Sequence, residues 1–162
     1  MVQADEFKEG MRSLIAGVTI ITTGTDGDRR GLTATSVTSL TLEPPTLIAC
    51  VNRASSAHSV IHHSGVFAVN LLGVDQVELA KIFATPSTAE ARFAAGTWET
   101  LQTGAPILTG SAASFDCEVH AAHMVSTHTI FIGHVVAIRV SPEVAPLAYS
   151  SAQWGRFQLA DD

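Results

Sequence analysis

Residues 31–45 read GLTATSVTSLTLEPP, and the fold turns on how this stretch is understood. Six of the nine residues from Thr33 to Thr41 carry a hydroxyl: Thr33, Thr35, Ser36, Thr38, Ser39 and Thr41. No charge appears before Glu43, and Pro44 and Pro45 close the run. The branched Cβ of threonine suits a pleated surface, so the stretch is expected as a strand. Each neutral hydroxyl both donates and accepts. A strand of this kind suits a flat, uncharged, heteroatom-rich ring better than a metal ion or a nucleic acid. The plainer alternative is a half-exposed threonine-rich strand with no ligand.

Working outward, the segments before and after it alternate in character. Phe7, Met11, Leu14 and Ile15 recur at helical spacing, with Asp5 placed to cap the helix and Gly17 to end it. It is expected to lie against a barrel or a partner subunit. GVTIITTG (17–24) reads as a strand, and the Asp26-Gly27 pair as a turn. After the two prolines, TLIACVN (46–52) reads as a buried strand. Ser55 or Ser56 can cap a short helix, whose free N–H groups suit an anion, with Arg53 beside it. A strand (66–72), a helix (74–85) and a loop from Pro86 to Pro106 follow. Two long strands are expected over 111–125 and 128–140, and a short one over 146–150. Many strands, few helices and tight turns predict a mainly β protein, an antiparallel barrel with helices at its edges. A parallel α/β sheet is the competing architecture.

Composition bounds the rest. The 162 residues suffice for a single domain, 1–162, with its own core. Hydrophobic residues make up 46% and charged residues 15%, so much surface can be buried between subunits. A net charge of −6 and the lack of basic blocks argue against nucleic acid and anionic membranes. No apolar run approaches the roughly 20 residues of a membrane span, and the start lacks a signal-peptide pattern, so a cytoplasmic protein is expected. Cys50 and Cys117 are the only cysteines and are expected as two buried thiols. Arg outnumbers Lys seven to two, so a cation that meets a phosphate should be Arg.

Other polar groups give no site. His58 and His62 stand four apart, but no nearby Asp, Glu or Cys completes a ligand set, so they are expected to be solvated or subunit-facing. His120 and His123 differ in strand parity and should not share a face. No metal is expected. A G-x-S-x-G elbow is missing, which argues against hydrolase chemistry.

Gly31–Pro45 followed by TLIACVNRASSA resembles the flavin reductase family, the small NAD(P)H:flavin oxidoreductases with a split-barrel, FMN-binding domain. The resemblance runs from about Phe7 to about Phe157. It continues through the VNLL strand (69–72), Phe83-Ala84, Arg92-Phe93, GAPIL (104–108), FDCEV (115–119) and the closing Pro146-Leu147-x-Tyr149. The resemblance implies that Thr33, Ala34, Thr35 and Ser36 line the isoalloxazine ring and that Ser39 lies near the ribityl chain. It further implies that Cys50, Val51 and Asn52 run beside the flavin, with Ser55, Ser56 and Arg92 near its phosphate. His128 takes the place of the family histidine near the nicotinamide, and Tyr149 and Trp154 close the pocket. Two positions depart from the family pattern: Thr35 stands where Asn is common, and Ser126-Thr127 where Gly-Asp precedes the histidine.

The function implied is NADH- or NADPH-dependent reduction of FMN or FAD, with the reduced flavin passed to a partner monooxygenase, by a homodimer. A non-catalytic flavin-binding barrel and an oxygenase-docking adaptor are the alternatives.

Overall fold

The computed structural model describes residues 1–25 and 27–158; Asp26 of the expected Asp-Gly turn lies outside them. In chain order the elements are α1 (Ala4–Arg12), β1 (Ala16–Gly17), β2 (Thr19–Thr23), β3 (Arg30–Ala34), β4 (Val37–Leu42), β5 (Pro45–Asn52), α2 (Ser56–Ser64) and β6 (Val66–Leu71). A 3-10 turn (Val74–Gln76) leads into α3 (Val77–Ala84). Then come α4 (Ala89–Phe93), β7 (Trp98–Thr100), β8 (Pro106–Leu108), β9 (Ala113–Val125), β10 (His128–Val140), β11 (Leu147–Ser150) and β12 (Gln153–Arg156).

Seven strands form one antiparallel sheet in the order β3-β2-β6-β9-β10-β5-β4. The parallel alternative is therefore set aside. The two edge strands, β3 and β4, are neighbours along the chain, so the stretch 31–45 supplies both edges of the sheet. It is not one strand: it breaks at Thr35-Ser36, and the second half crosses to the far edge. The sheet is open, with no pairing between β3 and β4. Yet Ile21 of β2 shares one buried cluster with Leu47, Ala49 and Val51 of β5, although three strands lie between them. The sheet therefore coils around that cluster, into which α2 inserts Ala57 and Ile61. A right-handed strand twist produces such coiling.

A second cluster lies outside the sheet, where α3 and α4 cover β2 with Leu79, Ala80, Phe83 and Phe93. With both faces covered, all five residues of β2 are buried. Phe83 packs so closely on β3 that a Cβ at Gly31 would lie 2.7 Å from its Cε1. Buried Asn70 ties the two layers together. Its amide donates to the Ile20 carbonyl at 3.2 Å, the Thr22 hydroxyl at 3.1 Å and the Pro106 carbonyl at 3.4 Å. Its oxygen accepts from the Leu108 N–H at 2.8 Å and the Ser114 hydroxyl at 2.9 Å.

Two local expectations change. Helix α1 is capped by Gln3 rather than Asp5, with the Glu6 carboxylate accepting the Gln3 N–H at 3.3 Å, and it ends at Arg12, well before Gly17. The segment 86–106, expected as loop, contains α4 and β7, because Thr88 caps a helical turn and Trp98 packs on Phe83 and Phe93 at 5.5 and 4.8 Å between centroids. The tail folds back as β12 against β11. In β9 a bulge opposite Ile132-Gly133 leaves His120 out of the ladder, and its ring lies 4.3 Å from that of His134 between centroids. No helix among the described residues is long and apolar enough to cross a membrane.

Candidate functional site

The break at Thr35-Ser36 opens onto a cleft of about 490 Å³. Thr35, Ser36 and Tyr149 line one side, and Phe7, Met11 and Leu14 the other, with Lys8 and Arg12 also in the lining. Both Thr35 and Ser36 are exposed. Ser36 is fixed from the neighbouring strand: its hydroxyl donates to the Cys50 carbonyl at 3.0 Å, and the Cys50 N–H donates to the Ser36 carbonyl at 3.0 Å. Trp154 pairs with Tyr149 across β11 and β12, and their rings lie 4.8 Å apart. The connecting turn closes the cleft, with Ser151 and Ala152 at φ 51° and 60°. A left-handed backbone at residues other than Gly or Asn costs energy, and here Ser151 is held by Arg12, whose carbonyl accepts its N–H at 2.8 Å.

From Ser36 the sheet leads sideways to a second polar group. Cys50 and Asn52 share a face of β5, and His128 pairs directly with Asn52. Two strand spacings and two residues separate Ser36 from His128, roughly 12 Å. His128 is exposed, and its Nδ1 lies 2.9 Å from the Thr127 hydroxyl. Beneath it, Arg53 ties down the turn: its N–H donates to the Thr127 carbonyl at 2.9 Å and its guanidinium to the Ser126 carbonyl at 3.1 Å. Asn52 begins the next turn, its Oδ1 accepting the Ala54 N–H at 2.9 Å. Ser55 caps α2 and accepts the Ala57 N–H at 3.3 Å, with exposed Ser56 beside it.

The remaining expected residues lie elsewhere. The Thr33 hydroxyl donates to the Ala80 carbonyl of α3 at 2.6 Å, and half-buried Ala34 packs on the inner cluster. Val51 is fully buried on the opposite face from Cys50 and can offer only its backbone. Ser39, three residues from Ser36, faces a separate apolar cavity of about 320 Å³ at the mouth of the coiled sheet. Arg92 clamps loop 85–87 to β3, donating to the Gly31 carbonyl at 2.8 Å, the Thr85 carbonyl at 2.8 Å and the Ser87 hydroxyl at 3.1 Å. The α1 residues of the cleft were read in the sequence only as a packing stripe. That stripe was the available signal.

Burial shapes the titration of Cys117 and His58. The Cys117 thiol is pushed up to about 12 by desolvation and by neighbouring Asp116. His58, expected to be solvated or subunit-facing, is half-buried, with Nε2 2.8 Å from the Thr129 hydroxyl and its ring 5.6 Å from that of Phe131. Burial, then Arg53 and His62, hold its pKa below the ordinary histidine value. Among the described residues no group of three His, Cys, Asp or Glu side chains could hold a metal ion.

The flavin reductase like domain matches residues 11–157. The chain belongs to the flavin reductase family. Among its relatives, FMN reductase (NADH) RutF 1 of Methylorubrum extorquens is 39% identical over 153 residues, covering 94% of this chain and 76% of the relative. The NADH:FAD oxidoreductase SgcE6 of Streptomyces globisporus, solved with NAD and FAD fragments, superposes with a TM-score of 0.90 at 28% identity, covering 100% of this chain and 99% of the other. BorF, the flavin reductase component of a bacterial two-component tryptophan halogenase, superposes with a TM-score of 0.87 at 28% identity over 98% and 100% of the two chains. As a flavin reductase family member, the chain places its neutral Thr35-Ser36 turn at the mouth of a cleft large enough for a bound small molecule.

Proposed function

We propose that this protein is an NADH-dependent flavin reductase that reduces FMN and releases it to a partner oxygenase. The observation that carries the reading is the uncharged Thr35-Ser36 turn facing the cleft beside Tyr149. Family membership and the named activities of the relatives support it. The donor set fits the flavin: hydroxyls and backbone groups can meet the ring heteroatoms without fixing a charge there. When bound, the flavin supplies an electron-accepting ring to which a reduced nicotinamide passes hydride.

The chain's own work is binding and orientation. Thr35 and Ser36 hold the polar edge of the ring, Tyr149 backed by Trp154 walls the slot, and Cys50, Asn52, Ser55 and Ser56 extend the site along β5 toward α2. His128 orients the nicotinamide or supplies a proton at the open side. Thr33 and Arg92 act from behind, fixing β3 through Ala80 and Gly31. Lys8 and Arg12 at the rim are already paired with Asp5 and Glu9. The ring contacts thus remain neutral, which favours release of the reduced flavin over retention.

The coiled sheet with consecutive edge strands is best read as a split barrel, a single domain. Exposed Val125, Ile138 and Val140 on the long strands suit a homodimer, and two free cysteines suit a reducing cytoplasm. The deciding experiment follows loss of reduced-nicotinamide absorbance with purified protein, NADH or NADPH, and FMN or FAD. Flavin-dependent consumption, fastest with NADH and FMN, is expected. A tightly yellow protein that consumes no nicotinamide would overturn the proposal.

A further inference from the structure

Helix α1 has an apolar side but no core to place it in. Phe7, Met11 and, just past the helix, Leu14 are 62%, 47% and 58% exposed, and α1 buries none of its nine residues. An amphipathic helix ordinarily faces such a stripe inward. A helix this short is marginal in water without tertiary support. Its C-terminal end is tied down: the Arg12 carbonyl accepts from the Ser151 N–H at 2.8 Å and from the Ser150 and Ser151 hydroxyls at 3.2 and 3.3 Å. The earlier turns carry the exposed pairs Lys8–Asp5 and Arg12–Glu9, which add little.

The stripe nevertheless has a definite direction. Phe7, Met11 and Leu14 face the same cleft whose opposite side is Thr35, Ser36 and Tyr149. One wall of the slot is thus rich in hydroxyls, and the other presents Phe7, Met11 and Leu14 with Lys8 and Arg12 beside them. The geometry points to α1 as the closing wall of the ring site: Phe7 and Met11 pack on the flat face of the bound flavin ring, and the bound ring in turn protects α1 from opening. This inference rests on the flavin reading above. A flat ring with apolar faces and a polar edge matches both walls at once. A second copy laid on the stripe would cover its rim and leave the slot between the walls empty.

The test uses the intact protein. Amide exchange of residues 4–12 is measured with and without FMN, and again with riboflavin, which lacks the phosphate. Either flavin should slow exchange in α1 by about tenfold or more, because an exposed helix opens at almost no cost until a ligand covers it. Fluorescence titration of a Phe7→Ala/Met11→Ala double variant should give dissociation constants about tenfold weaker for both flavins. Its circular dichroism and sedimentation should match the parent's, since neither residue is buried. Exchange in α1 that ignores flavin, or unchanged dissociation constants, overturns the inference. So does protection already present without flavin that rises with protein concentration, which would assign the stripe to a second copy. If the parent oxidises NADH with FMN while α1 stays open, this inference alone fails. If the parent binds no flavin, the reading of the site fails with it.

Discussion

Ser36 and Cys50 hold each other from both directions, the hydroxyl and the carbonyl of Ser36 each 3.0 Å from a backbone partner on Cys50. This double tie anchors the one place where the chain leaves β3 and crosses to the opposite edge of the sheet. It also leaves the half-buried Cys50 side chain on the face shared with Asn52 and His128. Cys117 lies within the inner cluster with its thiol pushed up to about 12, so it stays protonated and unreactive at pH 8. Iodoacetamide on the folded protein should therefore modify Cys50 and spare Cys117, as read by peptide mass. FMN should slow the Cys50 reaction several-fold. Equal labelling of the two thiols would contradict this arrangement.

Asn70 makes the strongest case for a residue that is structural despite lying in a motif. Five groups from β2, β8 and β9 depend on its amide. Asn70→Ala leaves the Leu108 N–H and the Ser114 hydroxyl without that acceptor. Each unsatisfied buried group costs about 1–3 kcal/mol, so a loss of about 3 kcal/mol is expected. For a chain of this size that lowers Tm by roughly 6–12 °C in a calorimetric scan. A Tm within a degree of the parent would show that water or a rearranged loop replaces the amide.

Gly31 is small because Phe83 needs the space. A methyl there would meet Phe83 Cε1 at 2.7 Å, and the ring is backed by Phe93 and Trp98 at 5.3 and 5.5 Å between centroids. Gly31→Ala should cost about 1–3 kcal/mol through overpacking. The added Phe83→Leu change should recover part of that loss in urea unfolding. If the double variant is less stable than both single ones, the contact is not the source of the strain.

Several elements were legible from the residues: β9, β10 and β5 as strands, and α2 as a short helix capped by Ser55 or Ser56, of which Ser55 is the cap. The break inside 31–45 was not, because threonine and serine continue across it with no change of pattern. Nor could local sequence show which hydroxyls remain free. Thr33 is engaged because α3 folds over β3 and brings the Ala80 carbonyl within 2.6 Å. Ser39 lines another cavity together with Val37, Thr38 and Thr41 of β4, which has crossed to the far edge of the sheet. Arg92 was expected at a phosphate, but three of its N–H groups serve contacts with residues 5, 7 and 61 positions away. The His120 bulge likewise depends on pairing with β10, which no period within β9 reveals.

His58 should make stability depend on pH. Burial, Arg53 and His62 all lower its pKa, so the folded chain prefers the neutral ring bonded to Thr129. The unfolded chain, with a value of about 6.5, then binds more protons than the folded one. The stabilisation is complete above about pH 6.5 and is lost as pH falls below it toward the lowered folded value. Thermal melts of the parent should drop more steeply between pH 7 and 5 than those of His58→Gln. Parallel curves would assign the acid sensitivity to other groups.

His128 offers the sharpest test of the site because its frame is independent of the cleft. Its backbone is paired on both sides, with Asn52 and Val125, and the turn before it is held by Arg53. Removing the imidazole should therefore leave the fold and the Thr35-Ser36 turn intact. If the ring orients the nicotinamide or supplies a proton, His128→Ala lowers kcat for flavin-dependent NADH oxidation by roughly 10- to 100-fold, the scale of losing one positioning contact. The dissociation constant for oxidised FMN should stay within about twofold, since the ring contacts assigned to Thr35 and Ser36 lie roughly 12 Å away across the sheet. A parallel loss of flavin affinity would place His128 in the flavin pocket itself. Unchanged turnover would make it an ordinary strand-end histidine, and the hydride-transfer step would then depend on the groups around Thr35, Ser36 and Tyr149 alone.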